Sequence, residues 1–310
     1  MGKYFLKRLG MSIVTLWAII TITFILMHSV PGNPFANENK NIPEAVYENL
    51  MKKYGLDKPY SEQYIMYLKN MIRGDFGESM KSNAETVNEM IARGFPVSAK
   101  LGAQALLIAL IFGPALGAIA ALHQNKIPDY IAMIISIIGV SVPSFVMGTF
   151  LIQFVAKKVG WIPIGGWGEF RHTLLPSLAL SLMPLAQMSR LMRSSMLEVM
   201  GQDYIKTAQS KGISKMAVII KHGVRNAILP IVSILGTTVS NLLVGSFVIE
   251  KIFGIPGLGM FFTTSVSNRD YTLIMGVTIF YAIVLIISFL LVDFAYMLID
   301  PKIRLAEEGH

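Results

Sequence analysis

The residues whose types and spacing can do work outside an apolar environment are concentrated in one stretch, Arg190 to Pro230, set between two apolar runs. It carries seven of the chain's 27 Lys and Arg residues (Arg190, Arg193, Lys206, Lys211, Lys215, Lys221, Arg225) against only Glu198 and Asp203. Asp203 suits a helix N-cap, because a short carboxylate accepts from the free backbone N–H groups of the next turn. Tyr204 to Lys211 then reads as a short helix, and Gly212 can take the left-handed conformation that closes it. Ser214 can cap a second helix from Lys215 towards Asn226. Eight helical residues span about 12 Å, and Tyr204, Ile205 and Ala208 are expected on one face. The chemistry this offers is recognition by shape and charge. It suits a knob meant for a partner's socket, or equally an amphipathic helix resting on lipid headgroups.

Bond-making chemistry has little support. No GxxxxGK[ST] phosphate loop occurs, so the chain has no evident ATP site of its own. The five histidines (His28, His123, His172, His222, His310) are scattered in or beside expected loops, and none has a second ligand at i+4. There are no cysteines, which excludes a disulfide, a thiolate nucleophile and a Cys-ligated metal. Catalytic and metal-ligating residues are therefore expected to be none.

The elements that must position the basic stretch are membrane spans. The chain has 310 residues, is 53% hydrophobic and is only 15% charged, where a soluble domain averages about 25% charged. Its net charge of +8 is explained by cytoplasmic loops enriched in Lys and Arg rather than by nucleic-acid binding. Lys3, Lys7 and Arg8 precede an apolar run from Leu9 to Met27, too long for a signal-peptide core and without a small-x-small cleavage site, so an uncleaved first span is expected. Residues 31–96 are polar and read as a small extracytoplasmic segment. Short surface helices are expected at Pro43–Met51, Ser61–Ile72 and Ala84–Arg93. Five further spans are expected at about Ala99–Leu122, Tyr130–Val155, Leu174–Met188, Ala227–Ile249 and Leu273–Leu298. The fold class is thus an all-α integral membrane protein with six transmembrane helices. Its parts are a first helix (1–30), the extracytoplasmic segment (31–96), a five-helix core (97–298) with the loop 190–226, and a tail (299–310).

Charge sets the orientation. Thirteen basic residues fall on the side of the N-terminus and five on short loops of the other side, which places both termini and the 190–226 loop in the cytoplasm. Trp161 and Trp167 mark the outer interface, and EKIFGIPGLGMFF (250–262) reads as a re-entrant or interfacial turn.

Few ionisable groups lie in the spans. Glu250 ends the fifth. Asp293 lies in the sixth near its cytoplasmic end, where a basic loop residue or a helix end can pair with it, so the midplane relay of a proton-driven carrier is missing. Pro114, Pro143 and Pro184 sit inside spans and can bend them. Gly113, Gly117, Gly139 and Gly148 allow close helix packing. Ordinary bundle packing and helices that rock to open a path are both compatible with this pattern.

Several motifs go further. DYIKTAQSKG (203–212), HGVRNAILP (222–230), IEKIFGIPGLG (249–259), NRDY (268–271) and DPKIR (300–304) resemble the permease subunits of peptide-type ABC importers. GLDKP (55–59), RGDFG (73–77) and FPVSAKLG (95–102) match the B-type chain of the paired subunits. Among subfamilies the chain looks most like the oligopeptide permease, with dipeptide and nickel permeases close behind. The resemblance implies the type I ABC importer permease fold and a cytoplasmic EAA-type loop whose short coupling helix docks in a groove of an ATPase. Asp203, Tyr204, Ile205, Lys206, Thr207, Ala208, Lys211 and Gly212 occupy that place. Lys206 stands where the general signature has Glu, and Ile228-Leu229-Pro230 lies further from Gly212 than that signature sets; the peptide branch shares both departures. The resemblance also implies a translocation path and outer gate, for which Pro143, Ser144, Phe145, Glu250, Pro256 and Gly257 are the expected residues. The implied partners are a second, C-type permease subunit, two ATP-binding subunits that hold ATP and Mg, and an extracytoplasmic peptide-binding protein. No cofactor is expected on this chain. A secondary carrier acting alone would need no docking helix, and a membrane enzyme would need a convergent polar cluster that the sequence does not show.

Overall fold

A computed structural model describes residues 2–29, 34–35, 43–82 and 85–299. The DPKIR motif, the tail, and the side chain of Asp293 lie outside the described residues. Among the described residues all regular structure is helical; Glu78 and Thr86 form an isolated β-bridge. Two compact units arise, one from residues 1–97 with 256–286, the other from 98–255 with 287–310.

The first unit begins with α1 (Gly2–Ser29), followed by α2 (Glu44–Lys53) and α3 (Tyr60–Ile72). Apolar contact and a few polar bonds hold α3 to the end of α1. A hydrogen bond of 2.7 Å joins the Thr21 and Tyr64 hydroxyls, and His28 Nε2 lies 3.0 Å from Gln63 Oε1. The RGDFG turn needs left-handed backbone at Gly74 and Gly77 (φ +75° and +88°). It is fastened to α4 (Val87–Leu122) through Asn88, which accepts from Phe76 N–H at 2.9 Å and donates to the Gly74 carbonyl at 2.6 Å. The Ala84–Arg93 stretch was expected to be a separate surface helix. From Val87 onward it is instead the opening of α4, a single helix of 36 residues, and the expected 96/97 boundary falls inside it. The polar residues Asn88, Glu89 and Arg93 resemble a surface helix, yet only Pro96 and, further on, Pro114 remove a helical hydrogen bond after them, and a long membrane helix tolerates each missing N–H.

The later part of this unit is α12 (Leu258–Asn268) and the start of α13 (Tyr271–Ile299). The segment expected as a re-entrant turn thus contains a helix start. Asp270, buried at the α13 N-terminus, accepts from the Ser79 hydroxyl, from Met80 N–H at 3.2 Å and from Leu273 N–H at 3.1 Å. That satisfies a buried carboxylate and orphan helix donors together.

The second unit is built around α7 (Phe170–Met200). Before it come the end of α4, then α5 (Ile127–Ser141) and α6 (Ser144–Leu151), the last continued by a π-turn at Ile152–Ala156. The Tyr130–Val155 segment, expected as one span, is broken: α5 and the segment from Ser144 meet at 108°. The cause is local. Pro143 bars the residue before it from helical backbone, and Val142 is extended (φ −95°, ψ 119°). Against α7 the glycines of the preceding helices give close approach, as expected. A Cβ at Gly113 would lie 2.9 Å from the Leu185 carbonyl oxygen, and one at Gly139 would lie 2.7 Å from that of Leu182. Met188, Met192 and Met196, one turn apart, form a fully buried seam with Ala109, Leu185 and Ile231. After the basic loop, α11 (Leu229–Phe253) completes the packing around α7.

Among the described residues four helices are long and apolar enough to cross a membrane: Lys7–Ser29, Val87–Leu122, Leu229–Phe253 and Tyr271–Val292. The bent α5–α6 pair makes a fifth if counted as one span. The remaining expected span lies in α7, whose 31 residues run about 46 Å. It is less apolar than the others, with charged residues towards its ends, and its serines face protein: Ser177, Ser181 and Ser189 are buried, and the Ser177 hydroxyl lies 3.0 Å from Gln104 Oε1.

Candidate docking site

The chain leaves α7 at Met200 and turns through Gly201 and Gln202 into α8 (Asp203–Ser210). The cap geometry differs from expectation at the start and agrees at the end. Gln202, not Asp203, is the N-cap, and Asp203 makes no capping bond. Its carboxylate instead accepts from Lys206 Nζ at 2.9 Å across the exposed face. One i,i+3 pair in open solvent contributes only a few tenths of a kcal/mol. At the other end Gly212 has φ +77°. Its N–H donates to the Gln209 carbonyl at 3.0 Å, and Ile213 N–H donates to that of Ala208 at 3.4 Å. This is the two-bond closure known as the Schellman motif.

The facing of α8 corrects the sequence reading. Tyr204, Ile205 and Ala208 do not act as one outward knob. Ile205 is 1% exposed and Ala208 is 7% exposed. Both pack inward on Val218, with Val199 and Met200 of α7 closing the cluster. Tyr204 is 45% exposed, and its hydroxyl accepts from Asn226 Nδ2 at 3.3 Å. The outward surface is therefore Asp203, Tyr204, Lys206, Thr207, Gln209, Ser210, Lys211 and Gly212. Spacing of 3.6 residues per turn places 204, 205 and 208 near each other. It does not say whether that arc meets the chain's own core or something outside it.

Beneath α8 lies α9 (Lys215–Val218), which passes through a π-turn at Ile219–Val224 into α10 (Arg225–Ala227). Ser214 is the N-cap as expected, although its hydroxyl makes no capping bond. Val218 and Gly223 are buried on this segment, and a Cβ at Gly223 would meet the Met196 and Met200 side chains at 2.8 and 3.2 Å. Thus α8 sits on a small apolar base that is continuous with the end of α7. A lipid-resting helix would point its apolar residues away from the protein; here they point into it.

The family scan matches residues 113–305 to the "binding-protein-dependent transport system inner membrane component" and residues 1–102 to the N-terminal membrane component of the same systems. The chain belongs to this permease family. It is 48% identical over 309 residues to the dipeptide transport system permease protein DppB of Bacillus subtilis, covering 100% of both chains. It is 42% identical to the oligopeptide transport system permease protein OppB of Haemophilus influenzae, over 98% of this chain and 100% of that one. Among solved structures, the inward-facing MetNI methionine ABC transporter matches with a TM-score of 0.54, at 16% identity, over 68% of this chain and 96% of that one. This last likeness shows the type I importer permease fold. The permease is accordingly an integral inner-membrane transport component.

The expected path residues divide between the two units. Pro143, Ser144 and Phe145 open α6, with Phe145 46% exposed. Gly148 of α6 meets Ile249 and Phe253, the neighbours of Glu250, near the end of α11. Glu250 is fully buried, and its carbonyl accepts from Ile255 N–H at 2.8 Å beyond the left-handed Gly254. Pro256 and Gly257 belong to the other unit.

The sequence shows Arg193 as one of the loop's basic residues but not its partner. Asp129, 1% exposed in the first turn of α5, receives Arg193 Nε at 2.6 Å and Nη2 at 2.7 Å. The 64-residue separation hides the pair; the available signal was one acid opening an otherwise apolar run.

Gly212→Pro tests the loop architecture directly. Proline fixes φ near −65° and has no N–H, so it can neither adopt +77° nor bond to Gln209. In purified, membrane-inserted protein, trypsin should cut at Lys206 and Lys215 roughly tenfold faster than in the parent, in line with about 1–3 kcal/mol of backbone strain. Gly212→Asn, which tolerates left-handed backbone, should stay near the parent rate.

Proposed function

We propose that this chain is the B-type permease subunit of an ABC importer for oligopeptides or dipeptides, paired with a C-type permease, two ATP-binding subunits and an extracytoplasmic peptide-binding protein. Full-length similarity to dipeptide and oligopeptide permeases supports the cargo class. The observation that carries the mechanism is the stiff mounting of α8. A short helix with a polar outward face stands on Ile205 and Ala208, both buried against the end of α7. Such a helix can receive force without deforming.

In this reading both termini and α8 are cytoplasmic, in keeping with the basic-residue asymmetry. The outward face of α8, with Tyr204, Lys206, Thr207, Lys211 and Gly212, docks in an ATPase groove. ATP and Mg bind in the partner ATPases and none binds on this chain. ATP closure brings the two ATPases together, each carrying its docked helix, and the bent α5–α6 pair converts that displacement into outward and inward openings. The binding protein delivers peptide over surfaces drawn from residues 31–98 and 250–270. Pro143, Ser144, Phe145, Glu250, Pro256 and Gly257 contribute to the path and outer gate. Few fixed charges along the path suit a cargo of varied side chains, since a dry charge would discriminate sharply among them.

The test is co-expression with the neighbouring subunits, purification as a complex, and reconstitution in liposomes. The complex should take up labelled di- to pentapeptides only with the binding protein outside and ATP on the α8 side. Uptake by the isolated chain without ATP would replace this reading with a lone carrier.

A further inference from the structure

We propose that the Asp129–Arg193 pair is a positioning clamp that makes α5, and the break at Pro143, follow displacement of α8; this rests on the importer reading above. Four observations carry it. First, the pair is built to hold direction. Arg193 presents Nε and Nη2 to the two carboxylate oxygens at 2.6 and 2.7 Å, a bidentate fork that resists rotation as well as separation. The Asn125 backbone N–H adds a third bond to Asp129 Oδ2 at 2.9 Å. That bond is made with Asn125 in left-handed backbone at φ +61°, so the turn before α5 is shaped around the carboxylate.

Second, Arg193 stands on the last turns of α7, on the same helix as Val199 and Met200, which support Ile205 and Ala208 of α8. The load path from α8 to Arg193 is thus continuous packed helix. Third, α4 and α5 already lean on the α7 backbone at glycines. A Cβ at Gly117 would lie 2.8 Å from Met192 Cβ and 3.0 Å from the Arg193 backbone nitrogen. Apolar helix faces can slide along one another, whereas a part-buried forked ion pair at the end of the interface cannot slide without breaking its two charge-assisted hydrogen bonds. Fourth, α5 is short and ends at the 108° break before Pro143. It is held on α7 at both ends, by the ion pair at Asp129 and by the close approach of Gly139 to the Leu182 carbonyl, so it moves with α7 as one piece and the break passes that motion to α6, which packs on the end of α11.

The test uses the whole complex in liposomes, with peptide uptake and ATP hydrolysis measured on the same preparation. Asp129→Asn and Arg193→Lys each remove the fork while keeping size. Both should assemble and hydrolyse ATP, with uptake per ATP falling roughly tenfold. The parent chain contains no cysteine, so Asp129→Cys/Arg193→Cys, assembled with cysteine-free partner subunits, gives one defined thiol pair. It should show the same loss, recover most of the ratio when bridged by a short bis-methanethiosulfonate, and lose it again on reduction. If uptake per ATP in every variant equals that of the parent complex, which itself imports peptide, the clamp is refuted and the importer reading stands. If uptake and hydrolysis fall together in step with thermal stability, and bridging restores both alike, the pair is only structural and the proposal is overturned.

Discussion

Gly117→Ala is expected to prevent the second unit from packing. The added methyl would run into the Ser189 carbonyl oxygen and lie within 2.8 Å of Met192 Cβ. The obstacle on one side is helix backbone, which cannot swing away as a side-chain tip can. Separating α4 from α7 enough to fit it would also open the seam of Met188, Met192 and Met196. Overpacking of this kind costs about 3 kcal/mol, a large share of a marginal folding free energy. The expected result is a strongly reduced yield of monodisperse protein in detergent and a markedly lower unfolding temperature. Gly10→Ala is the control, since a Cβ there has nothing within 4 Å and alanine favours helix by about 1 kcal/mol. Equal unfolding temperatures for the two variants would contradict the close α4–α7 approach.

The second large effect is expected at Ile205. Replacing it with Asp places a carboxylate among the apolar side chains of Ala208, Val218, Val199 and Met200. An uncompensated buried charge costs about 3–5 kcal/mol. The only other buried side chain among the eight residues of α8 is Ala208, too small to offset that. The helix should detach from its base while the spans remain inserted, and ATP-driven uptake should drop at least tenfold. Lys206→Ala, on the exposed face, removes only a solvent-screened pair with Asp203 and should leave α8 seated. Hydrogen exchange over residues 203–210 separates the two variants: fast in Ile205→Asp, near parental in Lys206→Ala. Slow exchange in the Asp variant would mean that the inward packing of α8 is not what holds it.

Both effects depend on burial that hydropathy does not report. The sequence located α1, α11 and α13 well, because a long apolar run can satisfy its backbone in lipid only as helix. It also located the closing turn at Gly212, because only a residue without a side chain takes φ +77° freely. The close-packing glycines were legible for the same local reason. The continuation of Ala84–Arg93 into α4 was not, since polar opening turns look alike whether a helix ends or continues. Nor was the sharpness of the break at Pro143, because proline permits a range of bends and the packing around it selects one.

The amino-acid order alone determined that this is a helical membrane protein with a capped basic helix between spans, and its motifs determined the family. Tertiary structure decided which side of that helix is spoken for: Ile205 and Ala208 belong to the chain's own core, and Tyr204 and Lys206 are left exposed. It also decided that Asp129 and Arg193 meet. The reason is the same in both cases. Local order fixes what a residue prefers to be near, such as oil, water or opposite charge, and only the packed arrangement of helices determines which of several equally suitable neighbours it finds.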